Sequence, residues 1–297
     1  MGWILLSLNA ALFFALRYVI IKKYLPGVSS VVLAFTGRLT GLVMLLPLLL
    51  WKDPHVEKVY LFWSVVAATS ILTAAASLMQ LHAVKKHDLS SSIPFLSFVP
   101  LFMIAGVYVL FGETPTLRSL AGIVMLALGA YVLNMERGMA LTAPFSALAA
   151  NRGGMLFLGV ALIFGVTTSL DRVAIDTAGG GGFAYSLYWH LFSVLLFAVI
   201  FLNRVKAPGY AGEIRKNAAP LIVQGAFSII AFYSQMMAVE FAKNVEANVI
   251  YVKGLTMMQL FIGVMFGITL FGERNAPSRI AGSLLMIGGA LFIMLFR

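Results

Sequence analysis

Seven ionisable side chains within otherwise apolar stretches could do chemistry: Arg17, Arg38, Asp171, Arg172, His190, Glu240 and Lys253. A charge inside a membrane-length apolar run is costly, so it faces a bundle interior, a partner or a bound molecule. Depth sorts the seven. Counting rise along a helix, Arg17 lies about 6 Å from the far end of its run and Lys253 about 10 Å from the near surface. Arg17, Arg172 and Glu240 are close enough to a boundary to snorkel to headgroups or to pair in a loop. Arg38, His190 and Lys253 are too deep for that. They are expected to serve substrate recognition or coupling; the alternative is structural pairing, such as Lys253 with Asp171 or Glu240. His190 has Ser186 and Ser193 on its face, with Tyr185 and Trp189 forming an aromatic row beside it. Imidazole titrates near pH ~6.5 and can shuttle a proton. The plainer alternative is a histidine hydrogen-bonded to its serine neighbours. The interior leans basic, so an anionic or zwitterionic metabolite fits better than a lipophilic cation. For an amino acid, an Arg or Lys would take the carboxylate and Asp171 the ammonium. No HExxH, GxSxG, Walker loop or Cys/His cluster is present, so no catalytic residue, cofactor or metal is expected.

Two matched polar stripes lie near these charges. Thr69, Thr73 and Gln80 stand at i, i+4 and i+11, one face of a helix. Gln224, Ser228 and Gln235 repeat the spacing. One stripe would suit ordinary helix–helix hydrogen bonding; a matched pair favours a shared polar cavity. The match extends further. Leu110-Phe111-Gly112-Glu113 recurs as Leu270-Phe271-Gly272-Glu273, each followed at one offset by Ala-Gly (Ala121, Ala281) and then Gly-Ala (Gly129, Gly289). The Gly-Glu step suits a left-handed helix end followed by a carboxylate near the next N-terminus.

These residues are carried by an apolar chain. Of 297 residues, 61% are hydrophobic and 11% charged, with mean hydropathy +0.97. A soluble domain has roughly 25% charged residues. Ten apolar runs, each near the ~20 residues that cross a bilayer, occupy 2–21, 29–51, 59–83, 89–111, 116–135, 154–176, 183–203, 218–241, 247–271 and 278–296. The expected fold is therefore all-α and membrane-embedded, with ten transmembrane helices around a central cavity. Five spans per repeat is an odd number, so the second repeat must be inverted. The boundaries are 1–137 for the first five-helix repeat, 138–152 for the linker and 153–297 for the second repeat. Spans five and ten carry small-residue rows (Gly122 and Gly129; Gly282, Gly288 and Gly289) and are expected to be packing struts. Four glycines, 179–182, offer a connector or a hinge. The net charge of +10 points to anionic headgroups rather than nucleic acid. Both termini share one side. Lys and Arg number five on that side and twelve on the other, which puts the termini outside by the positive-inside rule.

Ten spans in two repeats, with a Gly-Glu turn closing the fourth span of each, resemble the drug/metabolite transporter superfamily, more narrowly the EamA-type ten-helix carriers. The family's span-four proline has a counterpart in Pro100, while the second repeat has Leu260 there. The resemblance implies a bacterial-type inner-membrane carrier for a small molecule, with the outer fifth helices supporting a core of eight. EamA-type carriers are usually drawn with both termini inside, against the charge count. The combined expectation is a secondary active exporter or exchanger of a small polar metabolite such as an amino acid, working by alternating access. Substrate-binding candidates are Arg38, His190, Lys253, Gln80, Gln235, Trp189, Tyr185, Arg17 and Asp171. Protons are a candidate coupling ion, and the carrier is a monomer or homodimer in a lipid bilayer. A channel, a lipid-headgroup flippase and a membrane-embedded enzyme are the alternatives.

Overall fold

The computed structural model describes residues 2–86, 98–133, 152–204, 210–243, 249–271 and 277–295. Among them there is no strand. The helices are α1 Gly2–Tyr24, α2 Ser30–Leu45, α3 Val59–Lys86, α4 Val99–Phe111, α5 Leu117–Leu133, α6 Arg152–Arg172, α7 Gly181–Arg204, α8 Tyr210–Lys216, α9 Ala218–Lys243, α10 Val249–Thr256, α11 Met258–Phe271 and α12 Pro277–Leu295. Among the described residues, seven stretches are long and apolar enough to cross a membrane, and α4, α5 and α12 are shorter apolar helices. Large apolar side chains such as Leu5, Val109, Leu195 and Leu284 are exposed on helix surfaces. That is the surface lipid requires. The chain is an integral membrane protein.

Three apolar runs are not uniform helices. The second changes from α to a 3-10 segment, Leu46–Leu50, at the step to Pro47, whose ring cannot donate a helical hydrogen bond. The sixth ends in a π segment, Val173–Thr177, closed by Ala178 N–H to the Val173 carbonyl at 2.9 Å. The ninth breaks at Met257, whose N–H is shared between the carbonyls of Lys253 and Gly254, both at 3.1 Å. Hydropathy alone had joined each into one span. Pro100 stands in the first turn of α4, where its missing N–H costs nothing. Gly112 ends α4 with φ +68° and donates its N–H to the Tyr108 carbonyl at 2.9 Å, as the turn reading requires. Gly272 and Glu273 lie outside the described residues.

The chain forms two compact units: residues 1–74 with 171–241, and residues 75–170 with 242–297. Each draws on both sequence halves. In the first, α2 packs on α7, and Leu45, Phe183, Leu187 and Ile229 form a core cluster. A second cluster joins Leu25, Val32 and Leu221. Ser29 caps α2 by accepting from Val32 N–H at 3.3 Å. In the second unit α5 and α12 meet along their small residues. A Cβ on Gly122 would lie 2.9 Å from the Gly289 carbonyl, and one on Gly129 would lie 2.8 Å from the Gly282 carbonyl. Only glycine permits backbones this close.

Candidate functional site

Helix α2 contributes the sequence Gly37-Arg38-Leu39-Thr40-Gly41. The two glycines, one turn apart, let neighbouring side chains press onto the backbone on either side of Arg38. A Cβ on Gly37 would lie 3.2 Å from Gln224 Nε2, and one on Gly41 would lie 2.7 Å from His190 Nε2. Arg38, on the adjoining face of α2, turns to Trp189 and Phe197 of α7.

The Arg38 guanidinium carbon stands 4.2 Å from the Phe197 ring centre and 5.6 Å from that of Trp189. Both distances are within cation–π range. Its Nη1 donates to the Ala34 carbonyl at 3.1 Å. Its Nε is buried without a hydrogen-bond partner among the described residues. Four of the unit's carboxylates have partners elsewhere. Asp171 accepts from the Tyr185 hydroxyl, Asp176 pairs with Arg172 at 3.1 Å, Glu213 accepts from Ser29 N–H at 2.9 Å and Glu240 accepts from Gly182 N–H at 2.6 Å. A half-buried cation whose Nε is enclosed, with rings for neighbours and no acid in contact among the described residues, is costly unless something else brings negative charge.

His190 is buried and braced on three sides. Its Nδ1 donates to the Ser186 carbonyl at 2.8 Å, since a carbonyl only accepts, and its Nε2 faces Gly41. Trp189 and Phe232 contact the ring edge-on at 5.0 and 5.1 Å. The serine hydroxyls expected to bond the imidazole do not. Ser186 Oγ bonds the Gly182 carbonyl at 2.7 Å, and Ser193 Oγ reaches Ser70 Oγ at 3.5 Å. Trp189 stacks on Phe232 at 4.7 Å with an interplanar angle of 24°.

Asp171, Tyr185 and Thr69 form a buried chain. The Tyr185 hydroxyl donates to Asp171 Oδ1, and Thr69 Oγ1 lies 3.0 Å from that hydroxyl. This links three helical segments, with Thr69 and Asp171 each meeting the Tyr185 hydroxyl. Arg17 has a partner within the unit: its Nε donates to Gln224 Oε1 at 3.3 Å, while Gln224 Nε2 donates to the Leu33 carbonyl at 3.3 Å. Arg172 makes an i,i+4 ion pair, and Glu240 holds the first turn of α7 where Gly181 has φ +63°. Two of the four glycines thus open a helix instead of standing outside one.

Gln235 is buried, and its Oε1 has no partner among the described residues. The Gln80 side chain lies outside the described residues. Lys253 belongs to the second unit, in the last turn of α10 before the break at Met257. The structure thus brings Arg38, Trp189 and His190 together, pairs Arg17 with Gln224, and pairs Asp171 with Tyr185. Sequence reasoning missed Phe197, Phe232 and Gly41. The glycines at 37 and 41 were the available signal, being a small-residue pair at i,i+4; the phenylalanines are two of 23 in an apolar chain and carry none.

Residues 1–135 match the EamA-like transporter family. No curated protein sequence matches the chain. In three dimensions it is similar to a protein of known crystal structure at 15% identity, with a TM-score of 0.76 over 98% of this chain and 96% of that one. At that identity the likeness concerns the fold.

Proposed function

We propose, from the match of residues 1–135 to the EamA-like transporter family, that this chain is a member of it and a secondary active exporter or exchanger of a small anionic or zwitterionic metabolite. The observation that carries the charge preference is Arg38. It has a buried, unpartnered Nε, two aromatic neighbours and no carboxylate among the described residues. A ligand anion would supply the missing counter-charge through a charge-assisted hydrogen bond. His190 Nε2 and the Gln235 amide are acceptors for an N–H or O–H on the same ligand, and Trp189 offers a ring face. Asp171 is held by Tyr185, so it suits a supporting role or proton carriage better than direct contact with an ammonium. Lys253 and Gln80 remain candidates on depth and repeat position alone. The remaining parts of the proposal are ten spans in two inverted repeats (1–137 and 153–297, joined by 138–152), alternating access between them, both termini on one side of a prokaryotic inner membrane, protons as coupling ion, and a monomer or homodimer.

The test is counterflow in proteoliposomes against alanine, lactate, glycerol 3-phosphate and tetraethylammonium. We expect saturable exchange of an anion or zwitterion that falls by about tenfold to a hundredfold in Arg38→Gln, the loss of one charge-assisted bond. Exchange of tetraethylammonium alone, unaffected by Arg38→Gln, would overturn the charge assignment. Conductance without counterflow would make the protein a channel.

A further inference from the structure

One ring on α9 touches three side chains of α7. Phe232 stacks on Trp189 with ring centres 4.7 Å apart and on Tyr185 with centres 6.5 Å apart, both at an interplanar angle of 24°. It meets His190 edge-on, at 5.1 Å and 83°. Residues 185 and 189 lie one turn apart on a helix, and residue 190 points about 100° away from 189. A ring set in that angle bears on both directions at once. Trp189 in turn stands 5.6 Å from the Arg38 guanidinium carbon, so Phe232 acts on the cation through Trp189. The His190 ring is held from its own helix by the Ser186 carbonyl at 2.8 Å and by Trp189 at 5.0 Å; Phe232 holds it from a different helix. Tyr185, Trp189 and His190 are buried, while Phe232 is half-buried. A change at 232 therefore disturbs the inner rings from their more open side.

We infer that Phe232 is a positioning residue of the Arg38 site: its ring holds Trp189 and His190 in the orientation that an anion on Arg38 meets. The inference rests on the reading of Arg38 as the anion contact and adds the residue that keeps that site in shape. The physical reason is the ring and not its bulk. Aromatic pairs favour an offset stack or an edge-to-face contact because of their quadrupoles, and Phe232 makes one of each, with Trp189 and with His190. A leucine or methionine fills a similar volume but has no such preference, so it would leave the two rings packed yet free to tilt.

The experiment uses the full chain in phosphatidylcholine nanodiscs, with Trp3, Trp51 and Trp63 each replaced by Phe. Trp189 is then the sole tryptophan of the original four, and its fluorescence reports its own mobility. Two quantities are read: the anisotropy of Trp189, and the affinity for lactate and for alanine. We expect Phe232→Leu to lower the anisotropy and to weaken whichever probe binds by about twofold to tenfold, the loss of one aromatic pair. Phe232→Tyr keeps the ring and should keep both values; Phe232→Met replaces Phe232→Leu if the latter does not fold. Arg38→Gln should weaken the probe by a smaller factor in the Phe232→Leu background than in the parent, because Trp189 is no longer fixed beside the cation. Parental anisotropy and affinity in a ringless variant would overturn the inference, as would equal losses in Phe232→Tyr and Phe232→Leu, which mark a volume effect. A parent that binds neither probe would count against the anion reading instead, while the anisotropy of Trp189 in the same variants still decides whether Phe232 positions it.

Discussion

Gly41→Ala adds a single methyl group where His190 already sits. The new Cβ would lie 2.6 Å from His190 Cδ2, 2.7 Å from Nε2 and 3.4 Å from Ile229 Cβ. Ordinary carbon contacts are about 3.5–4.0 Å, so the imidazole must retreat by roughly 1 Å. It has little room to do so. Nδ1 is tied to the Ser186 carbonyl at 2.8 Å, and Trp189 and Phe232 close the ring edges at 5.0 and 5.1 Å. Overpacking of this kind costs about 1–3 kcal/mol. The alternative response is separation of α2 from α7, which would carry Arg38 away from Trp189 and Phe197. Either response is measurable. Denaturant unfolding in detergent should show Gly41→Ala less stable by that amount, with substrate exchange reduced. Combining it with His190→Ala removes the obstructing ring, so the double variant should be less destabilised than the sum of the singles, by a coupling of about 0.5–3 kcal/mol. Additive effects, or a Gly41→Ala protein with parental stability and exchange, would show that His190 does not rest on the α2 backbone and would remove the geometric basis of the Arg38–His190 site.

Other perturbations have equally definite outcomes. Tyr185→Phe removes the phenol that donates to Asp171 and meets Thr69; unfolding should become easier by about 1.5–3 kcal/mol, and Asp171→Asn in that background should recover part of the loss. Glu240→Ala should cost about 0.5–2 kcal/mol by uncapping α7, whereas Glu240→Gln, which keeps an acceptor for Gly182 N–H, should cost less; equal losses would contradict the cap. Gly122→Val pushes a side chain into the Gly289 carbonyl and the Ile293 and Phe292 side chains, and should lower expression and thermal stability far more than Leu128→Val on the exposed face of α5.

The membrane character and most helix positions were legible because they depend on local composition. Runs expected at 2–21, 59–83 and 218–241 are found as Gly2–Tyr24, Val59–Lys86 and Ala218–Lys243. Hydropathy averages over a window, so it passed across the breaks at Leu46, Val173 and Met257, where one or two hydrogen bonds change register. The deep charges were also legible, since an arginine or histidine within an apolar run announces itself. Their partners were not. Arg17 finds Gln224 across 207 residues, and Tyr185 finds Thr69 across 116.

From the sequence alone followed a helical membrane protein that resembles EamA-type carriers, the left-handed glycine closing α4, and the basic lean of its interior. Those depend on which residues stand next to one another, and neighbour chemistry is written along the chain. The tertiary structure decided which charges were already answered. It gave Asp171 to Tyr185, Glu240 to the start of α7 and Arg172 to Asp176, and it left Arg38 among aromatic rings without an acid. That outcome turns on how closely helices approach, set here by glycines at 37 and 41 that let a glutamine and a histidine reach the backbone. Coulomb energy and desolvation both depend on distance through space, and distance between residues far apart in sequence exists only once the helices have packed.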